Sequence, residues 1–193
     1  MKQPSETETF YAPSREEWRK WLFENPQTKQ SVWLLQYKKK SNVPTLSWSD
    51  AVSEALCFGW IDSTRKTVDD DSFIQFFTRR KPNSAWSKIN KQKIEQLIAD
   101  GLMVKAGHAS IEIAKQNGSW SALDAVEELA IPEDLITAFK KYEGSEAFFS
   151  GQSKSVRKMM LHWITFAKRP ETRQKRILEL VALASVGKKP KQF

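Results

Sequence analysis

The sequence predicts an α+β protein, in which a small antiparallel sheet with packed helices is followed by a C-terminal helical module. Runs rich in β-branched and aromatic residues occur before residue 80, whereas from about residue 84 the apolar residues recur with the period of an α-helix. The segment 119–131 is the expected connector. We therefore predict an α+β domain over 1–120 and a helical module over 121–193, which can also pack as one unit with the first domain.

The first two predicted elements are a helix and a strand. Ser14 and Glu17 form a capping-box pattern, in which each side chain can bond to the backbone N–H of the other, and this predicts a helix start. The run 31–37 (SVWLLQY) has the β-branched and aromatic composition of a strand. A helix packed on a sheet is therefore expected from the beginning of the chain.

A second helix and a β-hairpin are predicted next. Ser47 can cap the helix, and Gly59 can end it, because glycine adopts the left-handed conformation at little cost. The runs 60–68 and 72–79 have strand composition and flank the acidic turn 69–71. A hairpin is the simplest connection between them, which brings the sheet to about three or four strands.

The predicted C-terminal module contains amphipathic helices. Its clearest pattern lies in 153–167, where the apolar residues fall on one helical face that we expect to be buried. The tail 188–193 is expected to lie outside the fold. The apolar residues of the predicted stripe are Val156, Met159, Met160, Trp163, Ile164 and Ala167.

The composition is that of an ordinary soluble globular protein, with 40% hydrophobic and 28% charged residues. No apolar run approaches the roughly 20 residues of a membrane-spanning helix, and the N-terminus shows no signal-peptide pattern. Cys57 is the single cysteine and cannot form an internal disulfide. We therefore expect a cytoplasmic protein without membrane insertion, and we expect neither a metal site nor another cofactor.

Positive charge is concentrated at the C-terminal end. The formal net charge is +8, and residues 152–193 alone carry eleven Lys and Arg against two Glu. Such asymmetry can attract phosphate-rich or other anionic partners. A solvated helix face is the alternative interpretation.

The densest cluster of unusual residues is FFTRRKPNSAWSKIN at 76–90. Arginine side chains suit phosphate or carboxylate groups, and aromatic rings suit bases or sugars, so the cluster is a candidate anion or nucleotide site. Alternatively, its aromatic residues complete the core and its cations lie at a solvated strand end.

Asp62, in GWIDS between Ile61 and Ser63, is interpreted as an acidic residue in an apolar setting. It can serve as a general acid or base, or form a structural ion pair with Arg65 or Arg80. Cys57 is interpreted as a packing residue rather than a nucleophile. The sequence contains no phosphate-binding glycine loop, dinucleotide fingerprint, nucleophile elbow or paired metal motif.

Six motifs occur along nearly the whole chain in an order shared with a known family. They are EALCFGWIDS at 54–63, FFTRRKPNSAWSKIN at 76–90, GLMVKAG at 101–107, NGSW at 117–120, IPEDL at 131–135 and WITFAKRPETRQKRI at 163–177. In these motifs the chain resembles the bacterial YdeI/OmpD-associated family, also labelled bacteriocin-protection or OmdA-like. The resemblance implies a family of mostly uncharacterised bacterial proteins without an established enzyme activity.

Two positions depart from the family pattern. The family typically has glycine after GWID, where this chain has Ser63, and it reads proline, arginine, arginine where this chain has residues 79–81 (RRK). A basic rim at that place would therefore be rearranged. Carried over through the motifs, the candidate ligand-binding residues are Trp60, Asp62, Arg80, Ser84, Trp86, Ser87 and Asn90.

Three functions remain open from the sequence. The first is a non-enzymatic protein linked to stress or bacteriocin tolerance, which binds an unidentified anionic ligand or protein partner. The second is nucleic-acid or nucleotide binding by the cluster 76–90 and the basic C-terminus. The third is a small-molecule enzyme that uses Asp62 as its acid or base.

Overall fold

A computed structural model describes residues 7–25 and 28–193 of the chain and confirms the α+β class. The described residues up to Ser121 form one compact unit, and Ala122–Phe193 form a second. Each unit has its own cluster of buried apolar side chains. That these units correspond to two domains, 1–120 and 121–193, stays a prediction.

The described part of the first unit contains a four-stranded sheet with the order β1-β2-β4-β3. The strands are Thr9–Tyr11 (β1), Ser31–Tyr37 (β2), Trp60–Thr67 (β3) and Ser72–Arg79 (β4). The predicted hairpin is present, since β3 pairs antiparallel with β4, and the pairing is interrupted by a bulge between Asp62 and Arg65. β2 also pairs antiparallel with β4.

One strand pair departs from the expected antiparallel sheet, because β1 runs parallel to β2. A parallel pair needs a crossover connection, and the helix Arg15–Glu24 (α1) supplies it between the two strands. Ser14 caps this helix by accepting a hydrogen bond from the Glu17 N–H, as the capping-box pattern predicts.

Three more helices complete the first unit, and they are Trp48–Cys57 (α2), Lys88–Ala99 (α3) and Lys105–Gln116 (α4). A short 3-10 turn lies at Lys39–Ser41. α2 occupies the centre, because it packs against α1, α3, α4 and β3. The core between these helices and the sheet is rich in aromatic rings, among them the buried Trp18 and Phe77, whose centroids lie 5.3 Å apart.

A buried carboxylate fixes α1 to α2. Glu54 is 1% exposed and pairs with both Arg15 and Arg19, the latter at 2.6 Å. Arg19 also donates a hydrogen bond to the Leu102 carbonyl at 2.8 Å. Because a buried carboxylate without partners is strongly destabilising, the two guanidinium groups hold these segments together.

α4 lies unusually close to the end of α2. A Cβ atom on Gly107 would sit 2.2 Å from the carbonyl oxygen of Cys57, so this position accommodates only glycine without a backbone shift. The Val104 N–H donates to that same oxygen at 3.2 Å. Gly59 follows with φ +74°, a conformation that glycine adopts without strain, and its carbonyl accepts from the Arg80 N–H at 2.9 Å. The close approach therefore brings α4 beside the chain that follows β4.

The second unit is helical throughout, as the sequence predicts. Its helices are Asp124–Glu127 (α5), Glu133–Phe139 (α6), Ser145–Ser150 (α7), Lys154–Thr165 (α8) and Pro170–Ala184 (α9). α9 packs against α6, α7 and α8.

Two expectations for the second unit are wrong in detail. Met159, assigned to the buried stripe of α8, is 44% exposed, whereas Leu161 is buried. The tail does not lie outside the fold, because Pro190 is buried and the Phe193 ring meets Trp163 edge-on, with ring centroids 5.7 Å apart. Covering an exposed aromatic ring removes apolar surface from water, which favours the docked tail.

Because α4 approaches α2 so closely, replacing Gly107 by alanine is expected to destabilise the protein, although such a change inside a helix usually stabilises it. Glycine to alanine inside a helix normally stabilises by up to about 1 kcal/mol. We expect Gly107→Ala instead to lower the free energy of unfolding by about 1–3 kcal/mol, because the new methyl group overlaps the Cys57 carbonyl. Chemical denaturation followed by circular dichroism measures this change.

Gly151→Ala is the matched control, because its Cβ would meet its nearest neighbour at an ordinary 3.4 Å. We expect that variant to unfold like the wild type. A Gly107→Ala protein as stable as the wild type would show that α4 can move away from α2.

Candidate functional site

A cavity of about 260 Å³ lies in the first unit, where β4 ends. Three consecutive cations, Arg79, Arg80 and Lys81, line one side of it, and α4 lines another. We call it the arginine cavity. Arg79 is the last residue of β4 and Arg80 the first beyond it, so the end of the strand positions both guanidinium groups.

Arg80 is held by its neighbours but is incompletely hydrogen-bonded. Its guanidinium carbon lies 3.5 Å from the centroid of the Trp86 ring, and its Nη2 donates to the Ala85 carbonyl at 2.6 Å. Its Nε and Nη1 are buried and have no acceptor in the protein. Burial lowers the pKa of Arg80 to about 10, although the negative charge of Asp62 acts in the opposite direction. The cavity therefore contains a partly desolvated cation.

Two neighbours of Arg80 share its lack of acceptors. Arg79 donates through Nε to the Lys29 carbonyl at 3.0 Å, but its Nη2 is buried without an acceptor, as is Nε1 of Trp86. Elsewhere in the described chain, the buried polar side-chain atoms without a partner are Nε of Arg157, a donor, and Oε1 of Gln36, an acceptor. Buried donors are normally satisfied, so four unsatisfied ones within residues 79–86 indicate an acceptor that the chain itself does not supply.

Of the candidate residues, Trp60 and Arg80 line the cavity, and Trp86 lies behind Arg80 as its ring partner. Trp60 lines the cavity and is almost fully buried, with its ring edge-on to Trp21 at a centroid distance of 5.7 Å. Trp86 is also buried and packs between Arg80 and the ring of Trp120, whose centroid is 5.1 Å away. The Trp86 ring therefore supports the guanidinium group of Arg80.

Three other candidates, Ser84, Ser87 and Asn90, have local structural roles. The Ser84 N–H closes a turn by donating to the Lys81 carbonyl at 3.0 Å. The Ser87 hydroxyl caps α3 by accepting from the Asn90 N–H at 3.3 Å. None of the three is among the residues that line the cavity.

Asp62 is engaged outside the cavity. Its Oδ2 accepts hydrogen bonds from the indole of Trp48 at 2.9 Å and from the Gln75 amide at 3.3 Å. Within the described residues, the expected ion pair with Arg65 or Arg80 is not formed, and the Arg65 guanidinium lies over the Phe73 ring. Asp62 thus acts as a fixed hydrogen-bond acceptor at the bulge of β3.

Sequence reasoning missed the wall that α4 contributes. Ala106, Ala109, Ser110 and Ile113 lie on one face of this helix and line the cavity. An isolated glycine inside a helical pattern often marks a close packing contact, so Gly107 was the one available signal.

Cys57 is fully buried, and burial together with the nearby charge of Glu54 raises the pKa of its thiol. Both effects favour the unreactive protonated form at neutral pH. This agrees with the interpretation of Cys57 as a packing residue.

The basic C-terminal segment is partly neutralised within the second unit. Lys158 pairs with Glu127 and Arg173 with Asp134, each at 2.6 Å. Residues 122–193 together carry thirteen Lys and Arg against nine Asp and Glu, a smaller excess than in 152–193 alone. Seven of the eleven cations in 152–193 are exposed.

Residues 10–110, just over half of the chain, match the profile of a family described as "Domain of unknown function (DUF8412)". The chain belongs to this family. The matched stretch includes the whole cationic wall of the arginine cavity and the first turns of α4.

Residues 128–187 match a second profile, described as "Bacteriocin-protection, YdeI or OmpD-Associated". This match confirms the resemblance drawn from the sequence motifs, and it falls within the helical unit. The motifs at 54–63 and 76–90 fall in the stretch that the first profile covers. No curated protein and no solved structure shows significant similarity to the chain.

Within residues 7–25 and 28–193, no helix has the length and apolar character required to span a bilayer. The same residues contain no group of three or more His, Cys, Asp or Glu side chains placed to hold a metal ion.

Arg80 and Arg19 provide a comparison between two partly buried cations, of which the first lacks acceptors for two donors and the second is fully paired. We expect Arg80→Met to change the free energy of unfolding by less than about 1 kcal/mol, because it removes a desolvated charge and two donors that lack acceptors. Arg19→Met should cost about 2 kcal/mol, because it removes one of the two charged partners of the buried Glu54 and leaves Arg15 in place.

Urea denaturation of both variants at pH 7 and low phosphate measures the difference. A loss of stability in Arg80→Met as large as in Arg19→Met would identify Arg80 as a structural residue.

Proposed function

We propose that this protein is a non-enzymatic binding protein that holds a small anionic ligand in the arginine cavity. The observation that carries this proposal is that Arg79 and Arg80, which line the cavity, together hold three buried donors without acceptors. A phosphate or carboxylate group supplies several oxygen acceptors at once, and guanidinium groups bind such groups through paired hydrogen bonds.

An anion satisfies this site better than water does. Water can accept hydrogen bonds from one or two of the donors, but it does not offset the charge of Arg80, whose pKa burial lowers to about 10. An anion both accepts the hydrogen bonds and stabilises the charged guanidinium.

The position of Asp62 favours binding over catalysis. A general acid or base must lie within hydrogen-bond reach of the proton that it transfers. Asp62 is bonded to Trp48 and Gln75 and is absent from the lining of the cavity. An enzyme that uses Asp62 on a ligand in this cavity is therefore the weaker hypothesis.

The proposed cellular role is tolerance to stress or to bacteriocins in the cytoplasm. The similarity of residues 128–187 to a family described by bacteriocin protection supports the role. The free, buried thiol of Cys57 supports a reducing compartment. Ligand binding in the arginine cavity would then be the step on which tolerance depends.

Nucleic-acid binding is the second candidate function. Its support is the set of seven exposed cations in residues 152–193, which suits contacts to a phosphate backbone. Such contacts differ from a cavity site, because their affinity falls steeply with salt.

The cavity proposal predicts that inorganic phosphate stabilises the folded protein. Phosphate at 100 times its dissociation constant should add about 2.7 kcal/mol to the free energy of unfolding, and the melting temperature rises accordingly. We expect Arg79→Met and Arg80→Met to abolish this shift. The control is Arg65→Met, since Arg65 packs on Phe73 outside the cavity and its loss should leave the shift intact.

Short single-stranded DNA and RNA, titrated at two salt concentrations, test the second candidate in the same assay. No shift with phosphate, together with salt-sensitive oligonucleotide binding that Arg80→Met leaves unchanged, would replace the cavity proposal with nucleic-acid binding.

The proposed cellular role predicts a difference in survival. In a bacterial strain that lacks this gene, expression of the wild-type protein should raise survival during bacteriocin exposure, whereas expression of Arg80→Met should not. Colony counts after exposure measure this, with Arg65→Met as the control. Equal survival with and without the wild-type protein would contradict the tolerance role.

A further inference from the structure

We infer that the ligand of the arginine cavity is a small amphipathic anion, with an oxyanion head held by Arg79 and Arg80 and an apolar body packed against α4. This inference rests on the proposed function and adds the class of ligand. It follows from the unequal chemistry of the cavity walls.

One wall is cationic. Arg79, Arg80 and Lys81 are consecutive, and no acidic side chain is among the described residues that line the cavity. Asp62 is the acidic group whose charge acts on Arg80, and its Oδ2 is already bonded to Trp48 and Gln75. The wall therefore keeps an excess of positive charge that an oxyanion head can balance.

A second part of the lining is apolar. α4 contributes Ala106, Ala109 and Ile113, and β3 contributes Trp60. Ser110 is the polar side chain on this face of α4, and its hydroxyl donates to the Gly107 carbonyl at 2.8 Å. Its donor is thus used within the helix, and the wall presents mainly hydrocarbon.

An oxyanion without an apolar group would leave the apolar face of α4 exposed to water. Ile113 is 43% exposed although it borders the cavity, and the two alanines beside it are also exposed. An apolar body attached to the oxyanion removes this surface from water, at about 25 cal/mol for each Å² of apolar area. The body therefore adds affinity that the head alone does not have.

The size of the cavity limits the ligand. Its volume of about 260 Å³ corresponds to roughly nine water molecules at about 30 Å³ each. A ligand of about ten heavy atoms fills this space, whereas a mononucleotide is about twice as large. Phenyl phosphate and benzoate have the appropriate size and chemistry for probes.

Isothermal titration calorimetry with two matched ligand pairs tests the inference. Phosphate is compared with phenyl phosphate, and acetate with benzoate, so that each pair changes the body and keeps the head. In at least one pair, we expect the aromatic ligand to bind about tenfold tighter or more than its partner. The pair that binds with higher affinity shows whether the site prefers a phosphate or a carboxylate group.

Two exposed isoleucines provide matched variants. Ile113→Ser should weaken the aromatic ligand about fivefold and leave the bare anion within about twofold of its wild-type affinity. Ile98→Ser is the control, since Ile98 is similarly exposed, on α3, and does not line the cavity. It should change neither affinity.

The outcomes separate this inference from the proposed function. Equal affinities within both pairs, or no effect of Ile113→Ser, overturn the amphipathic ligand while anion binding stands. Aromatic binding that survives Arg80→Met also overturns it, because the head would then not be held by the guanidinium group. If neither phosphate nor acetate nor their aromatic partners bind, the proposed function fails as well.

Discussion

The close approach between α4 and the end of α2 determines the geometry of the candidate site. It depends on the missing Cβ of Gly107, which lets the helix reach the Cys57 carbonyl. The same turn continues into Gly59, whose carbonyl fixes the backbone of Arg80. The absence of a side chain at Gly107 therefore allows one face of α4 and the end of β4 to line the same cavity. The proposed ligand would span the gap between them.

Two charged side chains in the first unit, Glu54 and Arg80, differ in how completely they are paired. At Glu54 the charge is matched by Arg15 and Arg19, and the group ties helices together. At Arg80 the charge rests on the Trp86 ring and lacks acceptors for two of its donors. Glu54 is thus fully paired, whereas Arg80 has donors without acceptors. Such a contrast is typical of a site where a bound ligand supplies the missing acceptors.

Local patterns predicted most of the secondary structure, because they depend on neighbouring residues. Ser14 caps its helix as the capping box requires, and β2 covers the run predicted for it. The parallel pairing of β1 was not predictable, since three residues carry too little periodicity to show a strand or its direction. The cluster 76–90 correctly drew attention to Arg80, but the partners of Asp62 lie 13 and 14 residues away and only the folded chain brings them together.

The bulge in β3 also bears on how the protein behaves at high concentration. β3 is an edge strand of the sheet, with exposed residues after the bulge that include Arg65 and Lys66. An unpaired strand edge is a template for sheet extension between molecules, and cations and bulges are the devices by which natural proteins block it. The bulge that positions Asp62 thus also protects the protein from aggregation through the exposed edge of β3.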